Sequence, residues 1–146
     1  MDKTINTVVD DIYKLMKTKN IDKSVDPEAE IDRFGEAVKD LMRKEFINRG
    51  PFDGRKLRLS NIGKNDRYLW NHYNNAGPKE PMQPHTLVKF MYGHLIEEML
   101  LFLTRLSGHK VTDEQKVCEV EGIVGHMDCR IDGVVTDVKS TSSYGS

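Results

Sequence analysis

The stretch GHMDCRIDGVVTDVK, residues 125–139, decides how this chain folds. At its centre lies Asp132-Gly133, a strong signal for a two-residue hairpin turn, since both positions tolerate positive φ. Residues 126–131 and 134–139 then read as the two strands. With that turn, Ile131 faces Val134, and stepping outward brings Asp128 opposite Asp137. Opposed residues share a face, with Cβ atoms roughly 4.5–5.5 Å apart. Lys139, two residues beyond Asp137, points the same way. Two carboxylates facing each other across a ladder repel. A hard divalent cation relieves that repulsion, because Mg²⁺ takes oxygen ligands, often one or two carboxylates with water and a phosphate. The pairing alone also fits a solvated face with Lys139 as salt-bridge partner.

Working toward the N-terminus, residues 117–120 form a further strand, with Gly122 and Gly125 breaking the pattern between. A long helix is predicted over residues 85–106, its buried side marked by Leu87, Phe90, Met91, Leu95, Met99, Leu103 and Leu106. Ser107-Gly108 ends it. Glu97 and Glu98 lie on opposite flanks of an apolar face centred near Tyr92, Met99 and Leu103, and spacing alone does not choose between them. Residues 74–84 are turn-rich, with Gly77-Pro78, Pro81 and Pro84. Within residues 57–73 a short alternating piece precedes a helix that Ser60 would cap and that runs through Arg67 and Trp70. Gly50-Pro51 and Asp53-Gly54 mark a loop. Residues 2–18 read as a helix with Ile5, Val8, Val9, Ile12, Leu15 and Met16 on one side. Asp26-Pro27 opens another as N-cap and first-turn proline, with the stripe Ile31, Phe34, Val38, Leu41, Met42 and Phe46. The order is helices, then a long helix, then a three-strand meander, an α+β pattern. One domain is expected, with an N-terminal helical region (1–50), a basic, turn-rich segment with a short helix (51–84) and a core of helix and strands (85–146).

The chain has 146 residues, 38% hydrophobic and 31% charged, as ordinary soluble domains have. No apolar run approaches the ~20 residues that span a bilayer. Without a signal peptide, Cys118 and Cys129 read as reduced thiols of a cytoplasmic protein. The net charge of −1 hides an uneven distribution. Residues 43–67 carry 8 basic and 3 acidic side chains, between flanks with 7 basic and 10 acidic each. That segment is either a solvated, Arg-rich region or a phosphate-binding surface.

These elements resemble the PD-(D/E)XK nucleases, especially the RecB-like and lambda-exonuclease-like, phage-type branch. Gly93-His94-Leu95-Ile96-Glu97 is similar to the family's GxxxE helix motif. Gly125-His126-Met127-Asp128 and Asp137-Val138-Lys139-Ser140 match its next two motifs in order. The resemblance covers residues 85–141 and selects Glu97 over Glu98. It implies a restriction-endonuclease-like core, a helix packed on a β-meander. The family core continues past D-x-K with another helix and strand, often with Gln-x-x-x-Tyr, so its C-terminal part is expected to be missing from this sequence. Met127 stands where the family name has proline, and the D-x-K acid is aspartate. Upstream, residues 58–70 resemble the R-x-S-x-I-G-x-C-x-R-x-x-W segment of RecB-like and CRISPR-adaptation nucleases. Asn65 replaces the cluster cysteine there, so no iron–sulfur cluster is expected. Arg58, Ser60, Lys64 and Arg67 become the DNA-contacting candidates. Trp70 can pack a base or the core, and a single tryptophan is expected in the core.

The resemblance implies metal-assisted phosphodiester hydrolysis. Glu97, Asp128, Asp137 and the Val138 carbonyl would hold Mg²⁺ or Mn²⁺, and Lys139 would orient the attacking water, stabilise charge or act as base. Gln115, His94 and His126 are accessory candidates, and an exposed glutamine and ordinarily packed histidines remain open for them. The expected function is a DNA exonuclease of recombination, repair or phage DNA processing, with DNA as partner and an oligomeric or recombination partner protein possible. The alternatives are a structure- or sequence-selective endonuclease, and a non-catalytic DNA-binding module with a relic site.

Overall fold

The computed structural model describes residues 3–48, 58–75 and 82–139. After a 3-10 turn at Ile5–Thr7, helix α1 spans Val8–Thr18 and α2 spans Pro27–Phe46. The Asp26 side chain caps α2 by accepting from the backbone N–H groups of Glu28 and Ala29. Helix α3 covers Asp66–Asn74 and α4 covers Pro84–Leu106. The strands are β1 (Val111–Thr112), β2 (Lys116–Val120), β3 (Ile123–Met127), β4 (Cys129–Ile131) and β5 (Val134–Thr136). The loop signals at Gly50-Pro51, Asp53-Gly54, Gly77-Pro78 and Pro81, and Ser140 of the last motif, lie outside the described residues. Among the described residues no helix is long and apolar enough to cross a membrane.

The result is a mixed α+β fold in which the helices pack on a small sheet. Helices α1 and α2 lie against α4, with the rings of Phe34 and Phe102 5.2 Å apart. Leu101 of α4 meets Cys129 and Ile131 of β4 in the core, and Ile5, Val8, Val111 and Val138 close around them. A Schellman motif ends α4. Gly108 N–H donates to the Arg105 carbonyl and His109 N–H to that of Thr104, with Gly108 at φ +88°. A side chain at Gly108 would also strike that of Asp22, its Cβ 2.7 Å from Asp22 Cγ.

The β4–β5 hairpin turns at Asp132-Gly133, at φ +50° and +84°, and pairs Ile131 with Val134 and Cys129 with Thr136. That is the expected register. The remaining strands depart from the expected meander, and the strands form two sheets, β1-β4-β5 and β2-β3. The strand expected over 126–131 is interrupted at Asp128, where the chain changes partners. β3 pairs with β2 about a turn at Glu121-Gly122, whereas β4 pairs with β5 and with β1. The third strand stops at Thr136, so Asp137 and Lys139 lie just past the ladder.

Three further expectations are corrected. Ser60 does not cap a helix. It sits in a 3-10 turn at Leu59–Asn61, Gly63 at φ +86° breaks the chain, and the Asn65 side chain caps α3 by accepting from Tyr68 N–H. Trp70 is 62% exposed instead of packed in the core. Of the expected buried side of α4, Leu106 is buried and Leu87, Met91, Leu95 and Leu103 are half-buried, but Phe90 and Met99 are exposed, and Leu101, Thr104 and Arg105 are the other buried residues. Periodicity placed that face only in part because α4 is apolar nearly all round. Val9 and Met16 of α1, and Ile31 and Phe46 of α2, are exposed as well.

Candidate active site

The site is built where β3 gives way to β4. The hairpin register carries Asp128 and Asp137 out of the ladder side by side, and their carboxyl groups are in hydrogen-bonding contact. Asp128 Oδ2 also accepts from the Val138 N–H at 3.1 Å, which pins the chain beyond β5 against the strand break. Lys139 Nζ lies 2.5 Å from Asp137 Oδ2. Gln115 ties this corner to α4. Its backbone N–H donates to the Asp128 carbonyl at 2.9 Å, and its side-chain amide donates to Glu97 Oε1 at 3.1 Å. A positive φ of +50° at Gln115 allows that approach. His94 Nδ1 stands 3.8 Å from Glu97 Oε2, one turn back along the helix.

The electrostatics follow from the crowding. Burial pushes Glu97 up, and the charge of Asp128 adds to it. Burial also pushes Asp128 up, with the hydrogen bond and charge of Asp137 acting the same way against the Val138 N–H and Lys139. Asp137 is held down, first by the hydrogen bond from Lys139 and then by Asp128. Lys139 is correspondingly raised by Asp137. Asp128 is thus the member of the pair that keeps a proton more readily. Glu98 belongs to a different neighbourhood. Burial and Glu114 raise it, while Arg105, paired with Glu114, opposes them.

Glu97, Asp128, Asp137, Val138, Lys139, Gln115 and His94 therefore gather at one end of the sheet. His126 flanks the pair from another side, lining a hollow of about 350 Å³ with Leu59, Asp128 and Asp137. Leu59 places the basic segment there. It packs on Gly125 of β3, and Arg58 makes a parallel bridge to Val124. Arg58, Ser60, Lys64 and Arg67 are exposed on this segment, with Lys64 Nζ 5.8 Å from the Tyr68 ring centre.

Among the described residues no three His, Cys, Asp or Glu side chains are drawn together closely enough to hold a metal ion as they stand. The donor chemistry nevertheless suits a hard divalent cation. The groups are oxygen donors, two of them are raised by burial and then by neighbouring acids, and an aspartate pair with water is an ordinary Mg²⁺ ligand set. Sequence reasoning missed the partner change at Asp128 and the short β1 that enables it. A two-residue strand leaves no periodic signal.

No protein-family model matches this chain, and no match was found among curated proteins or solved structures.

Proposed function

We propose that this chain is a metal-dependent DNA nuclease with a restriction-endonuclease-like core of the PD-(D/E)XK type, most simply an exonuclease. The observation that carries this reading is the meeting of Glu97 from α4 with Asp128, Asp137 and Lys139 from the hairpin end, linked through Gln115. Glu97, Asp128, Asp137 and the Val138 carbonyl would hold Mg²⁺ or Mn²⁺. When bound, the ion supplies an activated water and neutralises the charge that builds on the phosphate. Lys139 then faces the phosphate with its ammonium and stabilises that charge. The Val138 N–H keeps Asp128 oriented, and Gln115 restrains Glu97 before the ion enters. The exposed cations at Arg58, Lys64 and Arg67 lie on the segment that borders the aspartates, where they can hold a DNA backbone.

The test is Mg²⁺-dependent cleavage of end-labelled linear and closed-circular DNA by the purified chain. Cutting of linear DNA alone is the expected exonuclease pattern, and cutting of circles indicates endonuclease action. Asp137→Asn and Glu97→Gln should each abolish cleavage, whereas Glu98→Gln should cut like wild type. Wild-type cleavage by Asp137→Asn would remove the assignment. A second reading, a DNA-binding module with a relic site, draws on the Lys139–Asp137 salt bridge, which occupies one of the proposed ligands. Mn²⁺ binding at the aspartate pair separates the two, since a relic takes up none.

A further inference from the structure

Beyond the sheet end, α4 continues with Val88, Phe90 and Tyr92 exposed. Phe90, Gly93 and Glu97 follow one another at i, i+3 and i+7, so they lie along one side of the helix. Further down that side Leu101 and Thr104 are buried in the core. Toward the N-terminus it opens into a groove of about 770 Å³, with Phe90, Tyr92 and Ile96 on the helix and Val138 and Lys139 across from them. The groove begins at Glu97 and is therefore continuous with the acid cluster. Its volume falls in the ~300–1,000 Å³ range of pockets that enclose small organic ligands. Phe90 is 56% exposed and Tyr92 65%.

We propose that this groove receives an unpaired nucleobase next to the phosphate held at the acid cluster, so that the substrate at the site is single-stranded. The proposal rests on the nuclease reading above and specifies its substrate. Two features select this occupant. Aromatic side chains offer π-faces to base faces, which a duplex keeps stacked within itself and a single strand exposes. Lys89 and Lys139, which also line the groove, supply charge for the phosphates on either side of such a base. Glu97 and Phe90 are two helical turns apart, roughly 10 Å along the axis. A base on Phe90 therefore lies within a nucleotide or two of a phosphate at Glu97.

The experiment measures binding of the full chain to a labelled oligothymidylate of about 12 nucleotides and to a duplex of the same length. It is done in EDTA, so metal-dependent cleavage does not contribute. Phe90→Ala and Tyr92→Ala should each weaken the single strand about tenfold, the size expected for losing one stacked base, and leave the duplex unchanged. The salt slope of single-strand binding should stay the same, because stacking releases no counterions. Phe90→Trp and Tyr92→Phe should bind like wild type. Both positions are exposed, and thermal melts verify that each variant is folded. Equal single-strand affinity in wild type and both alanine variants overturns the proposal, as does equal loss for strand and duplex. Cleavage in Mg²⁺ is scored separately. Wild type that binds through the groove but never cuts removes the nuclease reading alone. Alanine variants that bind and cut single strands like wild type remove the groove alone.

Discussion

At the scale of single residues, the acid cluster is costly to the folded chain. Glu97 and Asp128 are both raised, chiefly by burial and then by neighbouring carboxylates. A raised carboxylate contributes stability below its unfolded pKa and loses it as pH rises through the folded value. At neutral pH and without metal, both groups therefore oppose folding. Asp128→Asn should raise the metal-free Tm at pH 7, with the gain shrinking as pH falls into the carboxylate range. The asparagine oxygen can still accept from Val138 N–H, so the local turn is kept. Mg²⁺ should raise the Tm of wild type and leave that of the variant unchanged, because only a ligand that binds the folded state stabilises it. Cleavage should fall by more than about a hundredfold, since outer partners of metal ligands alone are worth about 10–100-fold. Melting curves in EDTA and in Mg²⁺ check the first two outcomes. A lower metal-free Tm for Asp128→Asn would contradict the electrostatic account.

At the scale of elements, the hairpin was the most legible part of the sequence, and for a physical reason. Asp132-Gly133 permits two successive positive φ values, the turn sets the register, and the register sets Asp128 beside Asp137. The face of α4 was legible only in part, because apolar residues surround it and the burial of Leu101 and exposure of Phe90 depend on where the sheet ends. Asn65 was read as the replacement of a cysteine, and its role as a helix cap follows only from Gly63 breaking the chain before it. Packing between distant segments was equally hidden. Gly125 accommodates Leu59, and a Cβ there would come within 2.1 Å of Leu59 Cδ1 and 3.0 Å of its Cβ. Gly125→Ala should therefore push the 3-10 turn off β3 and carry the basic segment away from the aspartates. DNA affinity should fall while Mn²⁺ binding is retained, and Leu59→Ala in the same chain should restore much of the loss. Anisotropy titrations of the single and double variants measure this.

A second long-range tie holds the elements together. His109, whose side chain is wholly buried, lies between Asp132 of the hairpin turn, 2.7 Å from Nδ1, and Asp11 of α1, 3.1 Å from Nε2. Both nitrogens face carboxylate oxygens, so both bonds form together only when both carry a proton. Lys3 pairs with Asp11 at 3.2 Å, and Lys110 N–H donates to the other oxygen of Asp132. His109→Gln leaves two partly buried carboxylates without the ring that bridges them. A loss of about 3 kcal/mol is expected, the low end for breaking a buried pair because Asp11 keeps some solvent. Urea unfolding measures the loss.

At the scale of the whole molecule, the net charge of −1 provides no general attraction to DNA. Binding has to come from the local excess of cations in residues 43–67, part of which docks on β3 beside the acids. Phosphate contacts made there release condensed counterions, and log affinity then falls linearly with log salt by about 0.9 per contact on duplex and about 0.7 on single strands. Arg58 and Arg67 are the two contacts to test together. If both touch phosphates, replacing both with glutamine should lower affinity and reduce the slope by about 1.8 on duplex DNA, or about 1.4 on a single strand. The groove variants behave differently, losing single-strand affinity at constant slope, so charge and stacking are read out on separate axes of one titration. Glutamine at the exposed Arg67 alone should leave stability unchanged within about 0.5 kcal/mol. An unchanged slope in the double variant would move the DNA surface away from this segment and leave the acid cluster to be explained without it.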